Sequence, residues 1–529
     1  MDEPLTGHFR DGSATALDIE GVAKLGLGVW RDAYSWPVSD GEYDAMSRVV
    51  WEALLDVSET LSERNQDLIL GDIGFPGFLL QHMHINAVRN RLAREGMEPA
   101  RGNVVEPYLN PDWDTLAQPS ALGSGLSSRS RGVLRGAAKS WILNDDLRLA
   151  ERAAVAFGKA AVWALGSRTP LRAQYLAQHK VACRFIDAAL FSALPAVDLG
   201  SELEAALVQL TTLITRRAGE ILGADLDQEC VLATWRKRLC HLTGYAENAG
   251  ALEVPPETLL LTDLGLPLQR TIARALRRRG TRVVGFHHGN EMGAQPYPVS
   301  DIVDLLPVDV FVTPGRACRD WRSKQYEDGL LAGRHSVKFE HIDPTLYKTW
   351  LDNGAKAPLP AEICNVMIVG FPPNWIRYPH LPGHWSLSQL DVETRLAESM
   401  SKAGYNVLYK AHPEWEPQLR EVMADVPCTF VGGLIEDCWP QADAFVYPRM
   451  STTSFGFAIS TNRPVILLDI AGQVWIPEAR DMLARRCRMV PAKMEAGVRI
   501  SFDEAALLAA LERCPEVPDQ TFVREAMCA

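Results

Sequence analysis

Val407-Leu408-Tyr409-Lys410-Ala411-His412-Pro413-Glu414 reads as an apolar strand that ends on a Lys, a His and a strand-breaking Pro. Further on, Ala444-Phe445-Val446-Tyr447 is a second such run and leads into Pro448-Arg449-Met450-Ser451-Thr452-Thr453-Ser454. Side chains two apart on a strand share a face, so Lys410 and His412 project together. The hydroxyl row precedes a small apolar helix expected over Phe455–Ser460 and exceeds what capping one helix requires. Strand ends are where open parallel sheets hold ligands, and a helix start with free N–H groups favours phosphate. The pair therefore predicts an α/β domain with an anion site built from Lys410, His412, Pro413, Ser451, Thr452 and Thr453. The competing reading makes His412 and the hydroxyls helix caps and leaves Lys410 solvated.

Working outward, Val366–Val369, Thr429–Val431 and Val465–Leu468 continue the alternation of strand and helix. Upstream, Leu259–Leu261, Val283–Phe286 and Val310–Val312 do the same. The expected fold class is α/β: two Rossmann-like domains, 1–350 and 360–529, joined by the Pro/Lys/Ala-rich stretch Asn353–Pro360. Two such domains facing a cleft constitute the GT-B architecture, with the ligand between opposed strand ends. In the first domain Leu68-Ile69-Leu70-Gly71-Asp72-Ile73-Gly74-Phe75-Pro76 reads as the opening strand and turn, followed by a helix to Arg94. Leu261-Thr262-Asp263-Leu264-Gly265-Leu266-Pro267 repeats that design, although Asp263 reads as a helix cap.

A helix is expected over Glu42–Leu61, and a helical insertion over about 115–255. The insertion would hold a loop at Ser120–Arg135, a helix at Asp145–Leu165 and another helix capped by Ser201 and Glu204. Phe371-Pro372-Pro373-Asn374-Trp375 is a candidate pocket wall, and the helix Phe502–Arg513 is placed to pack back across the domain boundary.

At 529 residues the chain exceeds one ordinary core. A net charge of −12 argues against nucleic-acid binding, which needs a basic face. Arg274, Arg277, Arg278, Arg279 and Arg282 cluster at one helix end and read as solvated, dipole-favoured charges rather than a lipid-facing patch. The ten cysteines show no C-x-x-C pair, which fits neither a disulfide framework nor a zinc site and suits a reducing compartment. Met1-Asp2-Glu3-Pro4 lacks the features of a signal peptide, and no apolar run reaches the length of a membrane span. The expectation is a cytoplasmic protein, at most peripheral to the inner membrane face. Without a Walker loop or a G-x-G-x-x-G element neither ATP nor NAD is expected, and no cofactor is assigned. His82 and His84 fall on different faces of a helix, so no metal is assigned either.

Lys-x-His-Pro at 410–413, the strand entry Ala442-Asp443-Ala444-Phe445 and the Ser-Thr-Thr block before Pro464-Val465-Ile466 resemble the C-terminal half of a group of GT-B transferases. The group comprises bacterial sialyltransferases, capsule-type Kdo transferases and teichoic-acid glycerophosphotransferases. The resemblance covers about 400–470 and implies that His412, Ser451, Thr452 and Thr453 contact the phosphate of a CMP-activated acidic sugar. His287-His288-Gly289-Asn290-Glu291 in the first domain is similar to the His-Gly element of the glycerophosphotransferases. It makes His288 a candidate base for an acceptor hydroxyl, with Gly289, Asn290 and Glu291 beside the substrate. Sialyltransferases and Kdo transferases use an acidic pair before Gly that this chain lacks, which leaves Asp72 as the rival base.

The expected function is metal-independent transfer of a nonulosonic acid or Kdo-type sugar from a CMP donor to a hydroxyl. The acceptor would be a glycan, a lipid-linked glycan or a protein in surface glycan or glycoprotein assembly. The alternatives are a CDP-polyol phosphotransferase of the teichoic-acid type and a non-catalytic GT-B scaffold.

Overall fold

The computed structural model describes residues 15–119, 137–141, 155, 160–288, 292–296, 298–371, 381–450, 453–495 and 498–528. A layer of helices comes first, and two sheets flanked by helices follow.

The first sheet holds β1 (Val162–Leu165), β2 (Cys183–Ile186), β3 (Thr258–Leu261), β4 (Arg282–Phe286), β5 (Val310–Pro314) and β6 (Lys338–Ile342). Its order is β2-β1-β3-β4-β5-β6, all parallel. The second holds β7 (Asn365–Val369), β8 (Asn406–Lys410), β9 (Thr429–Phe430), β10 (Ala444–Tyr447), β11 (Val465–Ala471), β12 (Arg488–Met494) and β13 (Ile500–Phe502). Its order is β13-β12-β11-β10-β7-β8-β9, with only β13 antiparallel. Parallel strands covered on both faces read as unbroken apolar runs. Leu259–Leu261 and Val366–Ile368 are such runs and are wholly buried. Strand order reverses between β1 and β3 in the first sheet and between β7 and β10 in the second, and crevices open at such reversals.

Three expectations about the first half need correction. Leu68–Leu70 is not a strand, because Glu63–Gly71 and Gly74–Arg94 are consecutive helices. A three-residue apolar run suits a buried helix as well as a strand, and packing decided here. A Cβ on Gly71 would sit 2.4 Å from Thr271 Oγ1, so glycine lets this helix press on the helix Pro267–Arg278. The stretch 115–255 is not simply a helical insertion either, since it contains β1 and β2, and the sheet opens at Val162. The end expected to close a helix at Leu165 is therefore a strand. Most of that expected helix, with Asp145 and Asp146, and the loop Ser120–Arg135 lie outside the described residues. Lastly, Ser201 lies within its helix, the N-cap is Gly200 at φ 82, and Glu204 pairs with Arg236 at 2.7 Å. The helix Asp40–Glu59 forms as its periodicity predicts, with a capping box between Ser39 and Glu42.

The halves meet on two flanks. On one, the loop after β4 reaches the second half. Ile476 N–H donates to Ala294 O at 2.9 Å, and Met292 Cε lies 3.0 Å from where a Cβ on Gly456 would sit. Ile476 follows β11 and Gly456 lies in the helix after β10, so carboxyl ends of strands from the two sheets adjoin. The C-terminal segment Thr521–Cys528 crosses nearby, with Arg316–Glu525 at 3.0 Å and the Trp321 and Phe522 rings stacked. This segment makes the return across the boundary. The helix expected to do so, here Glu504–Glu512, stays on its own sheet, where Glu504 accepts from Ser399 and Ala510 O accepts from Arg488. On the other flank Arg31 forks onto Glu398 at 2.5 and 2.7 Å, and Tyr43 O–H donates to Leu381 O at 3.1 Å.

Candidate functional site

The reversal between β7 and β10 is lined from three strand ends. β7 runs into Gly370 and Phe371, whose N–H donates to Glu393 Oε1 at 3.1 Å. Glu393 also accepts from Tyr409 O–H at 2.6 Å, which ties the ends of β7 and β8 to the helix Trp385–Lys402. Burial pushes the Glu393 carboxyl up to about 7, against the pull of those two donors. Tyr409 faces that helix, so alternation sends Lys410 to the opposite face of the sheet.

Lys410 is 5% exposed. Its Nζ donates to Ala411 O at 2.6 Å and, among the described residues, has no carboxylate in ion-pair reach. A buried ammonium ordinarily has a counter-charge, so this arrangement is a ready place for an anion. His412 follows, half-buried, and its Nδ1 accepts from Glu414 N–H at 3.4 Å within the turn, while the helix Glu416–Val422 starts without a side-chain cap, so His412 does not cap it as the competing reading has it. Pro413 is exposed at the turn. On the far side of β7, β10 ends in Pro448 and Arg449, and the Arg449 guanidinium lies 3.9 Å from the centre of the Trp385 ring. Lys410 ends β8 and Arg449 lies two residues beyond the end of β10, the strands on either side of β7. The helix Thr453–Ser460 begins with an exposed Thr453, and Tyr447 O–H donates to Ser454 O at 2.9 Å to hold its start beside β10. Ser451 and Thr452 lie outside the described residues, as do Gly289, Asn290, Glu291 and all of Phe371–Trp375 except Phe371.

The two candidate bases fare differently. His288 is exposed at the carboxyl end of β4, on the loop that meets the second half. His287 before it is buried, which pushes its ring well below the ordinary imidazole value, with Arg322 adding to the effect. Asp72 is not at a strand end. It is wholly buried between two helices, and Arg238 forks onto both its oxygens at 2.7 and 2.6 Å. Arg238 further donates to Leu116 O and Gln118 O. Asp72 is a finished internal ion pair with no side open to an acceptor. Asp263, expected to cap the following helix, instead accepts from Ser167 N–H and O–H at 2.7 and 2.5 Å.

Other charged patterns are also spent internally. Arg274 and Arg278 share Asp67, Arg277 holds Asp309, Arg282 holds Glu340, and Arg279 donates to Gly250 O. The arginine cluster is therefore cross-linked, with Arg278, Arg279 and Arg282 exposed to solvent as read and Arg277 and Arg278 in the last turn of their helix. His82 and His84 take separate partners, Tyr108 O and Trp36 Nε1. Among the described residues no group of three or more His, Cys, Asp or Glu is arranged to hold a metal, and no helix is long and apolar enough to cross a membrane.

Two features were missed in the sequence: the Arg449–Trp385 stack, and a carboxylate–imidazole contact between Asp40 Oδ1 and His384 Nε2 at 3.1 Å. Asp40 sits inside an ordinary capping motif, and His384 follows a Pro/Gly stretch, so neither carries a local signal. No family model matches this chain, and no curated protein is significantly similar to it.

Proposed function

We propose that this protein is a glycosyltransferase of GT-B architecture. It moves an acidic sugar, nonulosonic acid or Kdo in type, from a CMP donor to a hydroxyl acceptor in surface glycan or glycoprotein assembly. The observation that carries the reading is Lys410: a nearly buried ammonium with no carboxylate in reach among the described residues, at a strand end beside the reversal of strand order. A phosphate supplies the missing charge. His412 and the start of the helix Thr453–Ser460 are the next donors along the same edge, and Arg449 on Trp385 offers a cation and a flat surface to the rest of the donor. The adjoining strand ends of the two sheets support a cleft that holds donor and acceptor together.

In the reaction an acceptor oxygen bonds to the anomeric carbon as the sugar–phosphate bond breaks, and the electron pair leaves with CMP. Fixed positive charge at the departing phosphate lowers that barrier without needing to reorganise. His288 favours the alternative, a CDP-polyol phosphotransferase, because it is exposed on the loop of the first half that meets the second.

A thermal-shift series with CMP, CDP, UDP and GDP, without divalent metal, tests the reading. A nucleotide at a hundred times its Kd stabilises the folded state by about 2.7 kcal/mol. CMP should give the largest rise in Tm. A preference for UDP or GDP, or a rise seen only with added Mg²⁺, contradicts the CMP-sugar reading, and a preference for CDP selects the alternative.

A further inference from the structure

The loop that leaves β4 through His287 and His288 is buried from Met292 to Gln295, and each half of the molecule holds it. From the second half, Ile476 N–H donates to Ala294 O at 2.9 Å, Gln473 Oε1 accepts from Gln295 Nε2 at 3.4 Å, and Gly456 leaves room for Met292. From the first half the hold is a chain of buried polar side chains. Gln325, on the helix Arg316–Glu327, donates from Nε2 to Gly293 O at 2.6 Å and accepts at Oε1 from Arg322 Nη1 at 3.1 Å. A guanidinium only donates and a carbonyl only accepts, so an amide between them satisfies both and has its orientation fixed by both. Arg322 Nη2 in turn lies 3.2 Å from Asp301 Oδ1, and its guanidinium stands 5.6 Å from the centre of the Phe311 ring. The loop backbone is itself unusual, since Met292 and Gly293 both take left-handed conformations, at φ 47 and 72. A non-glycine residue held there is strained and persists only where its surroundings over-determine it. A Cβ on Gly293 would also lie 3.0 Å from Arg322 Cγ, so Arg322 packs against a place that only glycine suits.

We infer that Gln325 is a positioning residue for the transfer: by holding Gly293 O it seats the loop after β4 on the second half and so places His288 relative to the donor bound there. The inference rests on the glycosyltransferase reading. Arg322 and Gln325 are three apart on one helix, so they are surface neighbours and the helix carries them as a unit. The seat on the second half includes Gly456, in the helix Thr453–Ser460 whose start is one of the phosphate donors of that reading. The loop therefore runs between the exposed candidate base His288 and the helix beside the phosphate. Misplacing a reacting group by about 1 Å costs on the order of a hundredfold in rate. Donor affinity, set at Lys410 on the other side of β7, does not depend on the loop. A loosened loop therefore lowers turnover and leaves nucleotide binding intact.

The test uses the full chain and Gln325→Glu, which keeps the size of the side chain and its bond from Arg322 but offers Gly293 O no N–H. Hydrogen exchange at Ile476 N–H, in the other half of the molecule, should be about tenfold faster or more than in the wild type. With CMP-N-acetylneuraminic acid and CMP-Kdo as donors, kcat for CMP release should fall about tenfold or more. CMP affinity by calorimetry should stay within about twofold, a split that a role in packing alone does not produce. If Gln325→Glu does not fold, Ile476→Pro cuts the same tie from the second half, because Ile476 already sits at φ −69, which proline accepts. The same loss of kcat with CMP affinity held is expected there. Unchanged exchange at Ile476 in folded Gln325→Glu would overturn this inference only, and so would normal kcat in either folded variant of a chain that binds CMP. A wild-type chain that neither binds CMP nor releases it from either donor would overturn the glycosyltransferase reading, and this inference with it.

Discussion

Where strand order reverses in the first sheet, Asp263 shuts the crevice by taking the N–H and hydroxyl of Ser167 across the ends of β1 and β3. Gly166, at φ +96, leaves no space there, since a Cβ would lie 2.5 Å from Thr262 Oγ1. At the equivalent reversal in the second sheet, Lys410 has no carboxylate in ion-pair reach among the described residues, and Arg449 rests on an indole face. Both crevices occupy the same topological position. One has its polar groups satisfied internally, and the other holds a buried ammonium with no carboxylate in ion-pair reach among the described residues. Topology marks where a ligand can bind, and on the proposed reading Lys410 marks which of the two such places is used.

The sharpest contrast with Lys410 is a charge whose partner is built in. Asp72→Ala would strand the buried Arg238 guanidinium, and unfolding in urea should show a loss of about 3–5 kcal/mol. A loss near zero would mean that the pair is no more committed than Lys410.

Glu393 comes next, since it braces the open crevice from below. Its carboxyl is raised from 4.5 to about 7, so the folded state binds the proton more tightly than the unfolded chain does. The resulting stabilisation is full below pH 4.5 and is lost as pH rises through about 7, a change on the order of 3 kcal/mol. Urea titrations from pH 4.5 to 8 should show this slope in the wild type and a much flatter one in Glu393→Gln. Equal slopes would remove Glu393 from the account.

The smallest effect belongs to the closed crevice. Asp263→Ala should cost about 1–3 kcal/mol through the lost bonds to Ser167 and leave any CMP-induced rise in Tm unchanged. A diminished CMP response would show that the first sheet takes part in nucleotide binding after all.

Much of the second half was legible in the sequence. Val366–Val369, Val407–Lys410, Ala444–Tyr447 and Val465–Leu468 lie in strands as read, because buried parallel strands spell out unbroken apolar runs between turn residues. Lys410 could be placed at a strand end for the same reason. The first half was less legible. Leu68–Leu70 fits helix and strand equally, and the tight contact of Gly71 on Thr271 that settles the matter is tertiary. Asp72 looked exposed at a turn because its partner Arg238 is distant in sequence. Asp40, His84, His384 and Arg449 come from four separate stretches, so only the folded chain brings them together.

The central claim is that the unneutralised cation at the end of β8 awaits a nucleotide phosphate. Calorimetric titration of CMP into the wild type and Lys410→Met tests it most directly. The account predicts metal-free CMP binding by the wild type and affinity about a hundredfold lower in the variant, equivalent to about 2.7 kcal/mol. It also predicts that unliganded Lys410→Met is at least as stable as the wild type, because it loses a buried charge that had no partner. Equal CMP affinity in the two proteins, or a variant that binds CMP normally but unfolds more easily, would contradict it.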